Sequence, residues 1–335
     1  MRAWMLPAGA DGFERLALET LPDPQPGPGE VLIRIRACSI NYRDFAVAAG
    51  KYFGGALKAP AVPLSDGAGE VAAVGPGVTR FKAGDRVQGS FFPQWEEGPP
   101  RMGPALGDGF SPGMLAEYVV LPESGVVPMA RSLDFAQAAC LPCAGVTAWN
   151  ALYEGPRALT PGMRVLVLGS GGVSMLALQL ARAGGCEVIA TSSSDTKLDR
   201  IRELGAARTV NYRTTPEWGS YIASEYGGVD KVIEVGGAGT AEQSMAALRT
   251  QGEVAFIGVL SPEGGPNPRA LMMTGGSLRG IFVGSAAMAR RLNDAVDANG
   301  IEPLIGARFG FDQAKEAYAH AWGPDSFAKT VIELD

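Results

Sequence analysis

The stretch that most constrains the fold is RVLVLGSGGVSMLALQLAR, from Arg164 to Arg182. An apolar run stops at Leu168, the chain turns through Gly169, Ser170, Gly171 and Gly172, and apolar residues recur at helical spacing from Val173. A strand that turns through glycine into a helix leaves main-chain N–H groups unpaired at the helix start. The helix dipole adds partial positive charge there, so such a turn suits an anion. A second apolar strand, CEVIATS, follows within about 30 residues, the context a dinucleotide fingerprint requires. Gly169 then makes the tight turn, Gly171 lets the main chain approach a pyrophosphate, and Ser174 stands where a third glycine is usual. Serine is small enough for the same helix–strand packing. Glycine used for packing alone is the competing explanation, and it leaves the surrounding strand–turn–helix–strand order unaccounted for.

That order continues. Apolar strands recur at RVLVLG, CEVIATS, ARTVNY, VDKVIEVG, GEVAFIG and SLRGIFVG, with helical patterns between several of them, such as DTKLDRIRELG and TAEQSMAALRTQG, read as stopping at Gly205 and Gly252. Alternation of this kind predicts a parallel six-stranded sheet covered by helices. The first 125 or so residues differ: short strands such as EVLIRIRACSI and AEYVVLP lie between turns, as in a compact β-rich domain. Within them, FFPQWEEGPPRMGPALGDGFSPG is a long Pro/Gly loop carrying Phe91, Phe92 and Trp95, of a length that implies either disorder or function. After MARRLNDAVDANG, the tail gives another helix and a last strand, expected to return to the first domain.

The end of the second strand selects the cofactor. NAD sites place an acid there to bind the adenosine ribose. This chain reads ATSSSDTK, with Ser192, Ser193 and Ser194 in that place and Lys197 beyond. Hydroxyls donate to a 2′-phosphate and a lysine pairs with it, whereas a carboxylate would repel it. Asp195 is expected in the first turn of the next helix. NADP(H) is the cofactor expected; the alternative is a serine-rich loop that merely caps that helix.

Composition removes other classes. The chain has 335 residues, more than one core usually covers, and 46% of them are hydrophobic. A net charge of -6 without any basic block excludes nucleic acid and anionic membrane as partners. No apolar run reaches the roughly 18 residues of a membrane helix, and Asp11 and Glu14 interrupt the N-terminus before a signal-like core, so a cytoplasmic protein is expected. Cys38, Cys140, Cys143 and Cys186 form no disulfide framework. The CxxC of Cys140 and Cys143 has apolar flanks and one histidine in the whole chain, His320, to help it bind metal, so packed thiols are expected.

Together, ACSINYRDFAVAAGKY, GEVAAVGPGVTRFKAGDRV, AACLPCAGVTAWNAL, GSGGVSMLALQLAR and TVNYR resemble the medium-chain dehydrogenase/reductase superfamily across nearly the whole chain. Within it, the chain is most similar to the zinc-independent, quinone oxidoreductase-like branch. The resemblance implies an α/β protein with a GroES-like β-rich catalytic domain, residues 1–127 and 285–335. It also implies a Rossmann domain, doubly wound on a six-stranded parallel sheet, at residues 128–284. Asn41 stands where zinc-dependent relatives carry a ligand Cys, and Leu64-Ser65-Asp66 where they carry Gly-His-Glu. Cys143 matches the remaining ligand, and one thiolate cannot hold a catalytic zinc that wants three protein ligands. No metal is expected.

The resemblance further implies that Asn41, Tyr42, Asp44 and Tyr52 line a cleft between the domains. Thr147 lies near the nicotinamide, and Ile257, Gly258, Phe282 and Val283 flank its ribose. Lys197 and Tyr212 reach the 2′-phosphate. Asn41, Tyr42 and Tyr52 are the candidate catalytic residues, with Asn41 also touching cofactor; Asp44 as a helix cap and Tyr42 as packing are the plain alternatives. Ala328-Lys329 replaces the family's usual Gly-Lys, which leaves a cofactor contact there open. Without a Lewis acid the site suits hydride transfer to a quinone or α,β-unsaturated carbonyl. A metal-free alcohol/carbonyl oxidoreductase and a non-catalytic NADPH-binding protein are the alternatives. A homodimer joined through SLRGIFVG is expected from the family.

Overall fold

The computed structural model describes residues 1–101, 103–258, 267 and 269–334. The chain opens with strands β1 (Arg2–Met5), β2 (Ala17–Thr20) and β3 (Glu30–Ser39), helix α1 (Tyr42–Ala48), and strands β4 (Asp66–Val74), β5 (Arg86–Gly89), β6 (Tyr118–Pro122) and β7 (Val126–Pro128). Helix α2 (Phe135–Ala138), a π-turn at Leu141–Gly145 and helix α3 (Val146–Tyr153) follow. Strand–helix alternation then runs β8 (Arg164–Leu168), α4 (Gly172–Ala183), β9 (Glu187–Ser192), α5 (Asp195–Glu203), β10 (Arg208–Asn211), α6 (Trp218–Tyr226), β11 (Val229–Glu234), α7 (Ala238–Ala246), β12 (Leu248–Phe256), α8 (Arg269–Thr274) and β13 (Ser277–Gly280). The tail adds α9 (Ala286–Asn299), β14 (Ile305–Gly310), α10 (Ala314–Trp322) and β15 (Lys329–Glu333).

Two compact units result: Met1–Val146 with Val283–Asp335, and Thr147–Phe282. In the first, a sheet runs β14-β15-β3-β4-β5-β7, with β6 also paired to β3. The long strand β3 alternates inward Val31, Ile33 and Ile35 with more exposed neighbours, and these residues join Leu6, Leu64, Leu121 and Tyr318 in one core. The tail closes this sheet, because β15 pairs antiparallel with β3, Val331 opposite Ser39. The expected border at residues 127/128 lies inside this unit, since β7 pairs with β5 and α2 packs on β3 and β4. The long loop is ordered at its aromatics: Phe91, Phe92 and Trp95 are all buried.

In the second unit the sheet runs β10-β9-β8-β11-β12-β13, every pairing parallel. Val165, Leu166 and Val167 of β8 are wholly buried, as a central strand covered on two sides requires. One helix differs from its sequence pattern: α7 ends at Ala246 rather than running to Gly252. Leu248 opens β12 opposite Val229, so sheet pairing overrides helical spacing there. The run SLRGIFVG likewise leaves the sheet at Gly280. A buried charge ladder crosses the sheet, with Lys231 Nζ 3.0 Å from Glu253 Oε1 and Arg279 Nε 3.4 Å from the same oxygen. Among the described residues no helix is long and apolar enough to cross a membrane.

Candidate active site and cofactor turn

In the second unit, β8 ends at Leu168 and α4 begins at Gly172, with Gly171 as its N-cap. Gly169 takes a φ of +72°, the left-handed region that favours glycine. A Cβ added at either Gly169 or Gly171 would meet no atom within 4 Å, so the main chain borders open space at the start of a helix of 12 residues. Ser174 packs where a third glycine is usual because its hydroxyl turns back to donate to Leu168 O at 2.6 Å. Ser170 is buried and Val173 half-buried beside it.

Main-chain bonds tie the second strand to this turn. Gly169 N–H donates to Thr191 O at 2.8 Å, and Tyr212 N–H to Ser192 O at 3.1 Å. Ser194 caps α5, its hydroxyl accepting the Lys197 N–H at 3.4 Å, which sets Lys197 in the first turn. Asp195 lies in that turn too, its carboxylate accepting from Asn211 Nδ2 at 2.7 Å. Ser192, Ser193, Lys197 and Tyr212 therefore lie together where β9 and β10 end and α5 begins. Farther along, Ile257 and Gly258 donate their N–H groups to Glu234 O at 2.8 and 2.9 Å. A Cβ at Gly258 would sit 2.2 Å from Gly237 N, so only glycine fits. Glu234, which sequence reading missed, is wholly buried. It accepts from Gly236 N–H (2.7 Å), Gly237 N–H (2.9 Å), Thr240 Oγ1 (2.6 Å) and Ser244 Oγ, and so shapes the loop on which Gly258 rests. Thr147 is buried at the start of the unit, and Phe282 is half-buried at its end.

The first unit gathers a different set. Asn41 precedes α1 and donates its main-chain N–H to Asp44 Oδ2 at 2.8 Å, one half of a capping box. Asp44 is wholly buried, and burial pushes its pKa up to about 6, opposed by Arg43 and by that N–H. Arg43 Nη1 reaches Asp44 Oδ1 at 3.1 Å and Leu106 O at 2.7 Å. Its guanidinium lies over the rings of Tyr52, at 4.6 Å, and Phe91, at 5.2 Å, which explains why the loop aromatic is buried. Burial raises the pKa of the Tyr52 phenol, with Arg43 opposing, so the phenol keeps its proton at neutral pH.

Behind Asn41 sits a lysine. Lys329 Nζ donates to Ile40 O at 2.7 Å and Asn41 Oδ1 at 2.5 Å, and lies 3.8 Å from Asp66 Oδ2. Asp66 also accepts from Ser65 Oγ at 2.8 Å and from the Cys143 N–H at 3.2 Å. Ser39 donates to Ala139 O and lies 3.3 Å from the same carboxylate. The preceding Ala328 holds a φ of +54°, where glycine would sit unstrained. Burial pushes the Cys140 thiol up to about 12 and the Cys143 thiol also well up. Of the candidates in this unit, Asn41 and Tyr52 share the cluster. Tyr42 instead is exposed and stacks on Trp322 at 6.2 Å. Val283, the first residue after the second unit, is buried at a φ of +50°. Sequence reading passed over Arg43 and gave Lys329 and Asp66 no role at this site. Their only local signal was the charge of residues set within otherwise apolar segments.

Residues 27–131 match the family model for the alcohol dehydrogenase GroES-like domain, and residues 172–298 the model for zinc-binding dehydrogenase. A zinc-type alcohol dehydrogenase-like protein of Schizosaccharomyces pombe is 42% identical, over 97% of this chain and 96% of its own. The chain belongs to the medium-chain dehydrogenase/reductase superfamily. It is thereby an oxidoreductase of that superfamily, with the antiparallel β-rich and parallel Rossmann-like sheets the superfamily carries. An NADPH-dependent alkenal/one oxidoreductase of Arabidopsis thaliana is 28% identical, over 99% of this chain and 79% of that protein. Among solved structures, an NAD-dependent alcohol dehydrogenase superposes with a TM-score of 0.86 at 32% identity, covering 100% of both chains.

Members of this superfamily imply zinc and a nicotinamide cofactor, and the two fare differently here. At the positions where the resemblance would put zinc ligands, Asn41 offers an amide oxygen already taken by an ammonium, and Ser65 spends its hydroxyl on Asp66. The third, Cys143, is a thiol whose pKa burial raises. A positive charge within 4 Å of the Asp66 carboxylate opposes a divalent cation. These residues do not fit zinc. The open glycine turn, by contrast, fits a pyrophosphate.

Proposed function

We propose that the protein is a zinc-independent, NADPH-dependent reductase of quinones or α,β-unsaturated carbonyls. The observation that carries this reading is the buried Lys329 ammonium among residues at the zinc-ligand positions, which leaves amide and phenol donors to activate the substrate. NADP(H), when bound, supplies the hydride. The second unit serves as the cofactor domain: Gly169, Ser170, Gly171, Gly172 and Val173 cradle the pyrophosphate, and Ser192, Ser193, Lys197 and Tyr212 bind the 2′-phosphate. Thr147, Ile257, Gly258, Phe282 and Val283 flank the nicotinamide end. The first unit serves as the catalytic domain. Asn41 and Tyr52 donate hydrogen bonds to the acceptor's oxygen as negative charge develops on it, and Tyr52 supplies the proton. Tyr42, exposed on its helix, lends the entrance an aromatic surface. The Arabidopsis relative's name, with both NADPH and alkenal/one in it, supports the same reading. A cytoplasmic homodimer joined through the edge strand β13 belongs to it as well.

A metal-free alcohol/carbonyl oxidoreductase is the second reading, favoured by the solved neighbour named as an NAD-dependent alcohol dehydrogenase. One experiment separates the two: cofactor oxidation measured against a panel of quinones, enones and aldehydes, with saturated alcohols assayed in reverse. Turnover of enones or quinones with NADPH, unaffected by chelators and without stoichiometric zinc by elemental analysis, is expected. Oxidation of saturated alcohols alone, or loss of activity with chelator, would overturn the proposal.

A further inference from the structure

Lys329 reaches Asn41 across 288 residues of sequence, and the main chain fixes that reach. Strand β15 starts at Lys329, and the Ile40 N–H donates to Thr330 O at 3.0 Å, so the lysine and the segment before α1 are clamped side by side. The ammonium is committed inward to Ile40 O, Asn41 Oδ1 and the Asp66 carboxylate, and is almost wholly buried. An ammonium has donors and no acceptor. Asn41 must therefore turn its oxygen to Lys329, and its Nδ2 takes the opposite branch of the amide. That Nδ2 is buried and meets no acceptor in the described protein. Buried amide donors are rarely left so, and an acceptor arriving from outside resolves the deficit.

We propose that Lys329 is a positioning residue that locks the Asn41 amide in one orientation, so that Nδ2 is presented as a donor to the oxygen of the reducible substrate. The inference rests on the reductase reading above and adds what sets its hydrogen-bond donor. Without the ammonium, a half-turn of the amide lets Nδ2 donate to Ile40 O or Asp66. Oδ1 then faces the substrate, lone pairs against a developing negative charge.

Four variants test this: Lys329→Met, Asn41→Ala, their double variant, and Lys329→Met/Asp66→Asn, which strands no buried carboxylate. Enone reduction by Asn41→Ala is expected to fall on the order of 100-fold, the usual loss for one oxyanion donor. Lys329→Met is expected to fall about 10-fold or more in kcat, and the double variant no further than Asn41→Ala, because the two residues act as one unit. NADPH affinity is expected to stay within about threefold, as befits an ammonium committed to Ile40 O, Asn41 Oδ1 and Asp66. In protein labelled with ¹⁵N-asparagine, the Asn41 side-chain pair, identified by its loss in Asn41→Ala, should be sharp in wild type. It should be shifted or exchange-broadened in Lys329→Met and in Lys329→Met/Asp66→Asn. Additive kcat losses, an effect confined to NADPH affinity, or an unchanged amide pair in both lysine variants would each overturn the proposal. A wild type that reduces neither enones nor quinones sinks the reductase reading instead, and the amide resonances still decide what Lys329 does.

Discussion

Gly171→Ala separates a glycine kept for a ligand from one kept for the fold. Gly171 sits at φ −76° and ψ 175°, extended backbone that alanine adopts freely, and an added Cβ meets nothing within 4 Å. Alanine is a poorer N-cap than glycine by up to about 1 kcal/mol. It also restricts the unfolded chain by about 0.4–1 kcal/mol in the other direction. The melting temperature of the ligand-free protein should therefore move by no more than about 2 °C. The ligand-bound state fares worse. Main-chain N–H groups bind phosphate oxygens at roughly 2.9 Å, and a methyl group in that space holds the pyrophosphate off. One or two charge-assisted hydrogen bonds weaken, at about 1.5–3 kcal/mol each, so Kd for NADPH should rise on the order of 10- to 100-fold. Fluorescence titration or calorimetry of the ligand-free protein measures this directly. Gly169→Ala is the internal contrast: its φ of +72° makes alanine cost about 1–2 kcal/mol of fold stability with no ligand present. A Gly171→Ala variant that binds NADPH as tightly as wild type would show that the turn is a packing device and would remove the basis for the cofactor site.

Lys197→Ala should weaken NADPH about tenfold or more, the worth of one charge-assisted bond, and leave NADH nearly unchanged; paired titrations check this, and equal losses would remove the 2′-phosphate assignment. Tyr52→Phe should slow enone reduction by about 10²–10³ and quinone reduction far less, since quinols are already stabilised products; steady-state rates on one acceptor of each class decide it. Asp44 gives a pH signature. Its folded pKa of about 6 stands above the ordinary 3.8, so the folded protein binds this proton more tightly than the unfolded chain does. The stabilisation is present below about pH 4 and lost as pH rises through about 6, by roughly 3 kcal/mol. Denaturant midpoints of wild type against Asp44→Asn should diverge across that interval, and parallel curves would place the carboxyl's titration elsewhere.

What was legible in the sequence was local. The glycine turn, the serines closing β9, Ser194 as cap and Asp195 in the first turn of α5 all follow from neighbours in the chain. So does the strand–helix alternation behind the six-stranded sheet. Where a distant partner intervened, the local pattern failed. Helical spacing carried TAEQSMAALRTQG to Gly252, but pairing with Val229 claimed Leu248 for β12. At the first-unit cluster, the resemblance supplied Asn41 and Tyr52, whereas Arg43, Asp66 and Lys329 emerged only when β4, β15 and the π-turn were brought to one place. Arg43 is hidden in sequence because an arginine beside a helix start reads as a solvated charge; Phe91, from the long Pro/Gly loop, helps bury it.

Ala328 bears on how such a chain can be changed. An alanine held at φ +54° forgoes about 1–2 kcal/mol that glycine would not. Exchange for glycine returns part of this to the greater freedom of the unfolded chain, about 0.4–1 kcal/mol. The melting temperature would scarcely register the swap. The methyl group, however, narrows the angles from which the next residue can leave the backbone, and that next residue is Lys329. A stabilisation campaign scored on heat resistance alone would accept the glycine as harmless while it slackened the leash on the ammonium that aims Asn41.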